Sequence, residues 1–187
     1  TVLEDYLLPT GGPFDHLAHP QAKQNRRRLQ RLARATARRG VHVMLMGYNP
    51  KLAPDDPIFR RRPRFRGALQ ARGAFRTLCT SDPATRRFLA DSWASLFEQI
   101  PELGGIIAIT GGEGFYHCFM RSATQAADCP RCGKRHGPEV VAEFVNDVAR
   151  RVRQVQPEAR LVTWPYSAGH WSGDRDQDDY IAALDPK

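Results

Sequence analysis

The stretch that decides the fold is "GIIAITGGEGFYHC", Gly105–Cys118. Its apolar half lacks the alternation of a half-exposed strand, so it reads as a parallel strand buried on both faces. The run ends in "GGEG", where Glu113 stands between glycines. No neighbouring side chain there blocks a substrate oxygen from the carboxyl group.

Two further apolar runs share this character, "GVHVMLMGYNP" from Gly40 and "ARLVTWPYS" from Ala159. A segment of helical periodicity precedes each of the three. Over 21–39 the stripe is Leu29, Leu32, Ala33 and Thr36; over 83–100 it is Phe88, Leu89, Ser92, Trp93, Leu96, Phe97 and Ile100. Over 138–156 it is Val141, Phe144, Val145, Val148, Val152 and Val155. Asp82 reads as the N-cap of the second helix with Pro83 in its first turn, and Pro138 opens the third. A strand fragment is expected in "TVLEDYLLP". The helix–strand alternation is that of βαβ units. Long irregular segments, 49–80 and 113–137, follow strands, as functional loops do in such folds.

Two layouts fit, a doubly wound open sheet and a (β/α)8 barrel of the TIM type. No G-x-G-x-x-G pattern opens a helix after a strand, which disfavours the nucleotide-binding open sheet. A full barrel takes about 250 residues, and the chain has 187. The expectation is therefore an α/β single domain, 1–187, forming the middle portion of a (β/α)8 TIM-barrel type fold, with the remainder of the barrel or a partner chain completing it. The chain starts at Thr1 rather than Met and reads as a trimmed or excised piece, so targeting is not legible.

The net charge is +8, carried mostly by arginines in "NRRRLQRLARATARR" and "FRRRPRFRGALQARGAFR". Clustered arginine suits nucleic-acid phosphates. The first run has no interleaved aromatics for base stacking, so a solvated helix face is the preferred reading and a nucleic-acid partner is not expected. No apolar run approaches the ~20 residues of a membrane span.

Strand ends gather polar and aromatic residues at one mouth: Tyr48 and Asn49 from the first, Glu113, Tyr116 and His117 from the second, and Trp164, Tyr166, His170 and Trp171 from the third. Aromatic faces stack on the C–H surface of a pyranose and polar tips bond its hydroxyls, so a carbohydrate is the expected substrate. Four cysteines, Cys79, Cys118, Cys129 and Cys132, include the C-x2-C knuckle "CPRC". Cys118, Cys129 and Cys132 are expected to hold a structural Zn2+, with Cys79, His117 or His136 as fourth ligand. A disulfide and free thiols are the alternatives, and zinc would favour a reducing compartment such as the cytoplasm.

The order of these features resembles glycoside hydrolase family 20, the β-N-acetylhexosaminidases, which are (β/α)8 barrels. "NRRRLQRLARATARRGVHVMLMGYNP" is similar to that family's second helix and third strand. "TSDPATRRFLADSWASLFEQIPELGGIIAITGGEG" is similar to its third helix and fourth strand, and "EFVNDVARRVRQVQPEARLVTWPYS" to its fourth helix and fifth strand. The resemblance spans ~20–170, by order and pattern more than by identical motif residues. It implies that Glu113 is the general acid and that Trp164 lies against the sugar. The family's Asp before that Glu is replaced here by Gly112. The expected activity is hydrolysis of glycosidic bonds in oligosaccharides or glycoconjugates, with Asp174 and Asp176 as candidates for a second carboxylate. A non-catalytic carbohydrate-binding barrel and a basic, zinc-containing nucleic-acid binder are the alternatives.

Overall fold

A computed structural model describes residues 3–70, 73–112, 114–120, 127–165 and 174–185, apart from the side chains of 174–177. Three strands, β1 (Val43–Gly47), β4 (Leu103–Ile109) and β5 (Arg160–Trp164), form a parallel sheet in the order β1-β4-β5. Between the first two, β2 (Arg66–Gln70) and β3 (Phe75–Leu78) pair antiparallel as a separate sheet. The helices are α1 (Ala22–Ala37), α2 (Pro57–Arg61), α3 (Pro83–Gln99), α4 (Gly137–Val155) and α5 (Asp174–Ala182).

This corrects the barrel expectation. Among the described residues the parallel sheet is open, with three strands, and it is joined to an antiparallel hairpin rather than to further parallel units. A TIM-type barrel closes its edges by continuous parallel pairing, whereas among the described residues β1 and β5 are each paired on one side. The fold is mixed α/β. Two smaller expectations also change. Leu3–Tyr6, expected as part of a strand, is a 3-10 turn. Residues 49–80, read as irregular, contain α2 and the β2–β3 hairpin.

The glycine pair at the start of β4 has a steric reason. The β1–β4 register slips at Gly104, where Val43 faces Leu103 but Met44 faces Gly105. Gly105 has φ +153°, and a Cβ there would lie 2.0 Å from the Arg160 carbonyl oxygen of β5. Only glycine permits this close approach of neighbouring backbones.

One face of the parallel sheet, bearing Leu45, Ile106 and Ala108, is buried. Phe115 folds back from the loop after β4 beneath this face; its ring stacks on Phe144 of α4 at 4.8 Å and lies 6.5 Å from Trp93 of α3. The opposite face is less covered, with Met44, Met46 and Ile107 half-buried and Val162 and Trp164 45% and 47% exposed. β5 therefore alternates as a half-exposed strand does, and is not buried on both faces as its apolar run implied. No described helix is long and apolar enough to cross a membrane.

Candidate metal centre and strand-end loop

The four cysteines arrive from three places and converge. Cys79 leaves β3, held by donation of its N–H to the Phe65 carbonyl at 2.9 Å. Cys118 lies on the loop after β4. Cys129 and Cys132 form the knuckle, where the Gly133 N–H donates to the Cys129 carbonyl at 2.9 Å. All four Sγ atoms lie within 4.8 Å of one another. Each residue is fully buried, and no disulfide joins any pair.

The spacing suits a tetrahedral metal ion. A tetrahedron of Zn–S bonds near 2.3 Å puts its sulfurs about 3.8 Å apart. Cys79 and Cys132 stand at 3.7 Å, and Cys79 and Cys129 at 3.5 Å, whereas a disulfide needs about 2.05 Å. Donors already point at the sulfurs: the Ala68 N–H reaches Cys118 Sγ at 3.3 Å and the Cys132 N–H reaches Cys129 Sγ at 3.4 Å. Ser81 Oγ lies 3.2 Å from Cys132 Sγ. Such outer contacts stabilise thiolates and orient them. Even without a cation the thiols are unequal. Hydrogen bonding with Cys118, then with Cys132 and Cys79, lowers the Cys129 thiol, and the same sulfur contacts together with burial raise Cys118. Four sulfurs fill a tetrahedron and leave no open position, so a metal here would shape the protein and not bind substrate.

Cys79 is the residue that completes the four-sulfur group. His117 is committed elsewhere: its Nε2 donates to the Thr110 carbonyl at 2.8 Å and its Nδ1 accepts the Phe119 N–H at 3.0 Å. Full burial holds its pKa down at about 4, so the ring is neutral. His136 precedes α4 as its N-cap.

Charged groups brace the sulfur cluster. Asp82 caps α3 by accepting the N–H groups of Ala84 and Thr85 at 3.0 and 3.2 Å. Its second oxygen faces Arg64 at 3.4 Å and Arg131 of the knuckle at 3.7 Å. Asp128, next to Cys129, accepts the Leu69 N–H at 3.0 Å and pairs with Arg76. Three arginines of the second basic run, Arg64, Arg66 and Arg76, are thus tied internally to Asp82 or Asp128.

The expected sugar-binding residues divide. Asn49 is buried, with Oδ1 accepting from Trp93 Nε1 at 3.0 Å and Nδ2 donating to the Tyr116 carbonyl at 3.3 Å. Asn49 and His117 therefore hold the loop in place. Tyr48 and Tyr116 meet edge to face at 6.4 Å, and Tyr116 meets Phe75 of β3 at 5.1 Å. Lys51 Nζ sits 5.2 Å from the Tyr116 ring centre and 5.5 Å from that of Phe75. Phe75 and Lys51 were not singled out from sequence, because the pairing of β2 with β3 is what brings Phe75 to the strand ends. Trp164 closes β5, about half exposed. Glu113, Tyr166, His170 and Trp171 lie outside the described residues. Asp174 and Asp176 fall in the first turn of α5.

The segments flanking Glu113 are fixed. Gly112 (φ +90°) donates its N–H to the Met120 carbonyl at 2.6 Å, and Gly114 (φ +93°) accepts the Asn49 N–H at 3.1 Å. Both occupy backbone conformations that favour glycine. No protein-family model matches the chain, and no curated protein and no solved structure matches it.

Proposed function

We propose that this chain hydrolyses glycosidic bonds in oligosaccharides or glycoconjugates, with Glu113 as general acid on a loop held by a structural zinc. The observation carrying this reading is the strand order β1-β4-β5. It sets the carboxyl ends of three parallel strands side by side, with Tyr48 following β1, the Gly112–Gly114 segment following β4 and Trp164 ending β5. Ligand sites of open parallel sheets lie outside such ends. Aromatic groups on both outer strands, with a carboxylate on the central one, suit a sugar ring flanked by stacking surfaces.

A second carboxylate stands near the same edge. The Leu3 N–H donates to the Tyr48 carbonyl at 2.8 Å, and Glu4 Oε1 accepts the Lys51 N–H at 2.5 Å. Burial pushes the Glu4 carboxyl above its ordinary value, against the lowering effect of that hydrogen bond. Hydrolysis needs one carboxyl to protonate the leaving oxygen and another to activate water or attack the sugar.

The test is turnover by Glu113→Gln, which keeps shape but does not donate the proton. On a glycoside with a poor leaving group the rate should fall roughly 10²–10⁴-fold, with metal content and sugar binding retained. Activated aryl glycosides should be much less affected. Wild-type turnover by the variant on the unactivated substrate refutes the assignment; sugar binding by the wild type without any turnover makes the protein a carbohydrate-binding one.

A further inference from the structure

A cleft of about 480 Å³ lies between the N-terminal segment, α1, α3 and α4. None of its lining residues belongs to the metal centre or the strand-end loop. Its volume is that of a small-molecule site. Phe14 and Phe88, stacked at 4.2 Å, and Leu8 give it apolar walls.

Arg26 of α1 also lines the cleft and is only 5% exposed. Its Nε donates to the Tyr6 carbonyl at 2.8 Å, and its Nη1 donates to the Ser95 carbonyl and hydroxyl at 3.1 and 2.7 Å. Those partners are neutral, and Nη2 has none among the described residues. The nearby carboxylate Asp91 is taken by Arg151 at 2.5 Å. A buried guanidinium without a counter-charge is costly, and proteins normally pair such groups. Desolvation holds its pKa down at about 10, yet it remains a cation at neutral pH. Arg87 adds an exposed cation to the lining; Arg26, Arg87 and Arg151 against Asp91 and Glu98 leave one positive charge in excess.

We infer that this cleft binds a small organic anion, whose acidic group meets the Arg26 guanidinium and whose apolar body lies on Phe14 and Phe88. An acidic ligand group gives the buried Arg26 the counter-charge its neutral partners lack, and Leu8, Phe14 and Phe88 line the cleft with apolar surface for the rest of the ligand.

Two fluorescent probes test this on the full, metal-loaded chain. 1-Anilinonaphthalene-8-sulfonate carries an acidic group, and N-phenyl-1-naphthylamine has a similar ring system without it. The sulfonate should bind with one-to-one stoichiometry and perturb the amide resonances of Leu8 and Ser95. Arg26→Met, which keeps much of the apolar stem, should weaken the sulfonate at least tenfold, the size expected for losing a charge-assisted contact, and change the neutral probe less than twofold. Should Arg26→Met not fold, the exposed Arg87→Glu carries the test and should weaken the sulfonate about threefold or more. Equal affinity for the two probes, wild-type sulfonate binding by Arg87→Glu, or perturbed amides away from the cleft overturns the inference.

Discussion

Cys79 and Cys132 are separated by 53 residues, yet their sulfurs lie 3.7 Å apart, with Cys129 Sγ also 3.5 Å from Cys79. The C-x2-C knuckle is therefore half of a four-sulfur centre, completed by Cys79 at the end of β3 and Cys118 after β4. Asp82, the N-cap of α3, stands three residues after Cys79, so α3 starts close to the sulfur cluster.

Cys79 is accordingly expected to be a ligand of the same rank as the other three. Protein purified without chelator should carry close to one equivalent of zinc. The cobalt-exchanged form should show the absorption of a tetrahedral tetrathiolate site. Cys79→Ser should lose that spectrum and most of the metal affinity, whereas His117→Gln, which leaves all four sulfurs, should retain it. A cobalt spectrum unchanged by Cys79→Ser refutes the fourth ligand.

Gly105→Ala should disrupt the pairing of β4 with β5. Its new Cβ would lie 2.0 Å from backbone oxygen, which cannot move aside as a flexible side chain does. A loss above about 3 kcal/mol is expected, in the range of severe core and backbone changes. Gly40→Ala is the comparison: φ is also positive there, but a Cβ meets nothing within 4 Å, so only backbone strain of about 1 kcal/mol is added. Denaturant unfolding of the two variants measures the difference.

Asp15 gives a pH signature in the N-terminal segment. Its carboxylate accepts the N–H groups of Thr10, Gly11 and Gly12 at 2.7, 2.9 and 3.3 Å. The Thr10 bond, foremost among these, holds its pKa below the ordinary value of 3.8. A carboxyl depressed in the folded state contributes stability above its unfolded pKa and loses it as pH falls through the folded one. Asp15→Asn should therefore be less stable than wild type at pH 7, with the gap narrowing below pH ~4. A gap that is constant from pH 7 to pH 2 excludes this role.

Much of the secondary structure was legible. The stripes over 21–39, 83–100 and 138–156 correspond to α1, α3 and α4, and three apolar runs became the parallel strands, because helical and strand periods are written locally. The architecture was not legible. Whether a βαβ series closes depends on distant pairings, and the β2–β3 hairpin that departs from the barrel pattern overlaps "FRRRPRFRGALQARGAFR" and ends at Leu78. Arginines obscure its alternation, since the charges of Arg66 and Arg76 find Asp128 only in the folded chain. The knuckle was readable from spacing, but Cys79 was one of three candidates, with His117 and His136, until the hairpin brought its sulfur to the other three. Asn49 and His117 looked like ligand groups because sequence does not reveal that Trp93, Tyr116 and Thr110 already occupy them.

The burial of all four sulfurs carries a kinetic consequence. With every cysteine at 0% exposure, a chelator cannot touch a bound ion while the protein stays closed. A bound metal would have to leave through a local opening that separates the knuckle from the β2–β3 hairpin and the loop after β4. Release should then proceed at the rate of that opening, and raising the chelator concentration beyond a modest excess should make it no faster. The ion would behave less as a ligand in exchange with solvent than as an internal cross-link, its residence time set by the breathing of the surrounding chain.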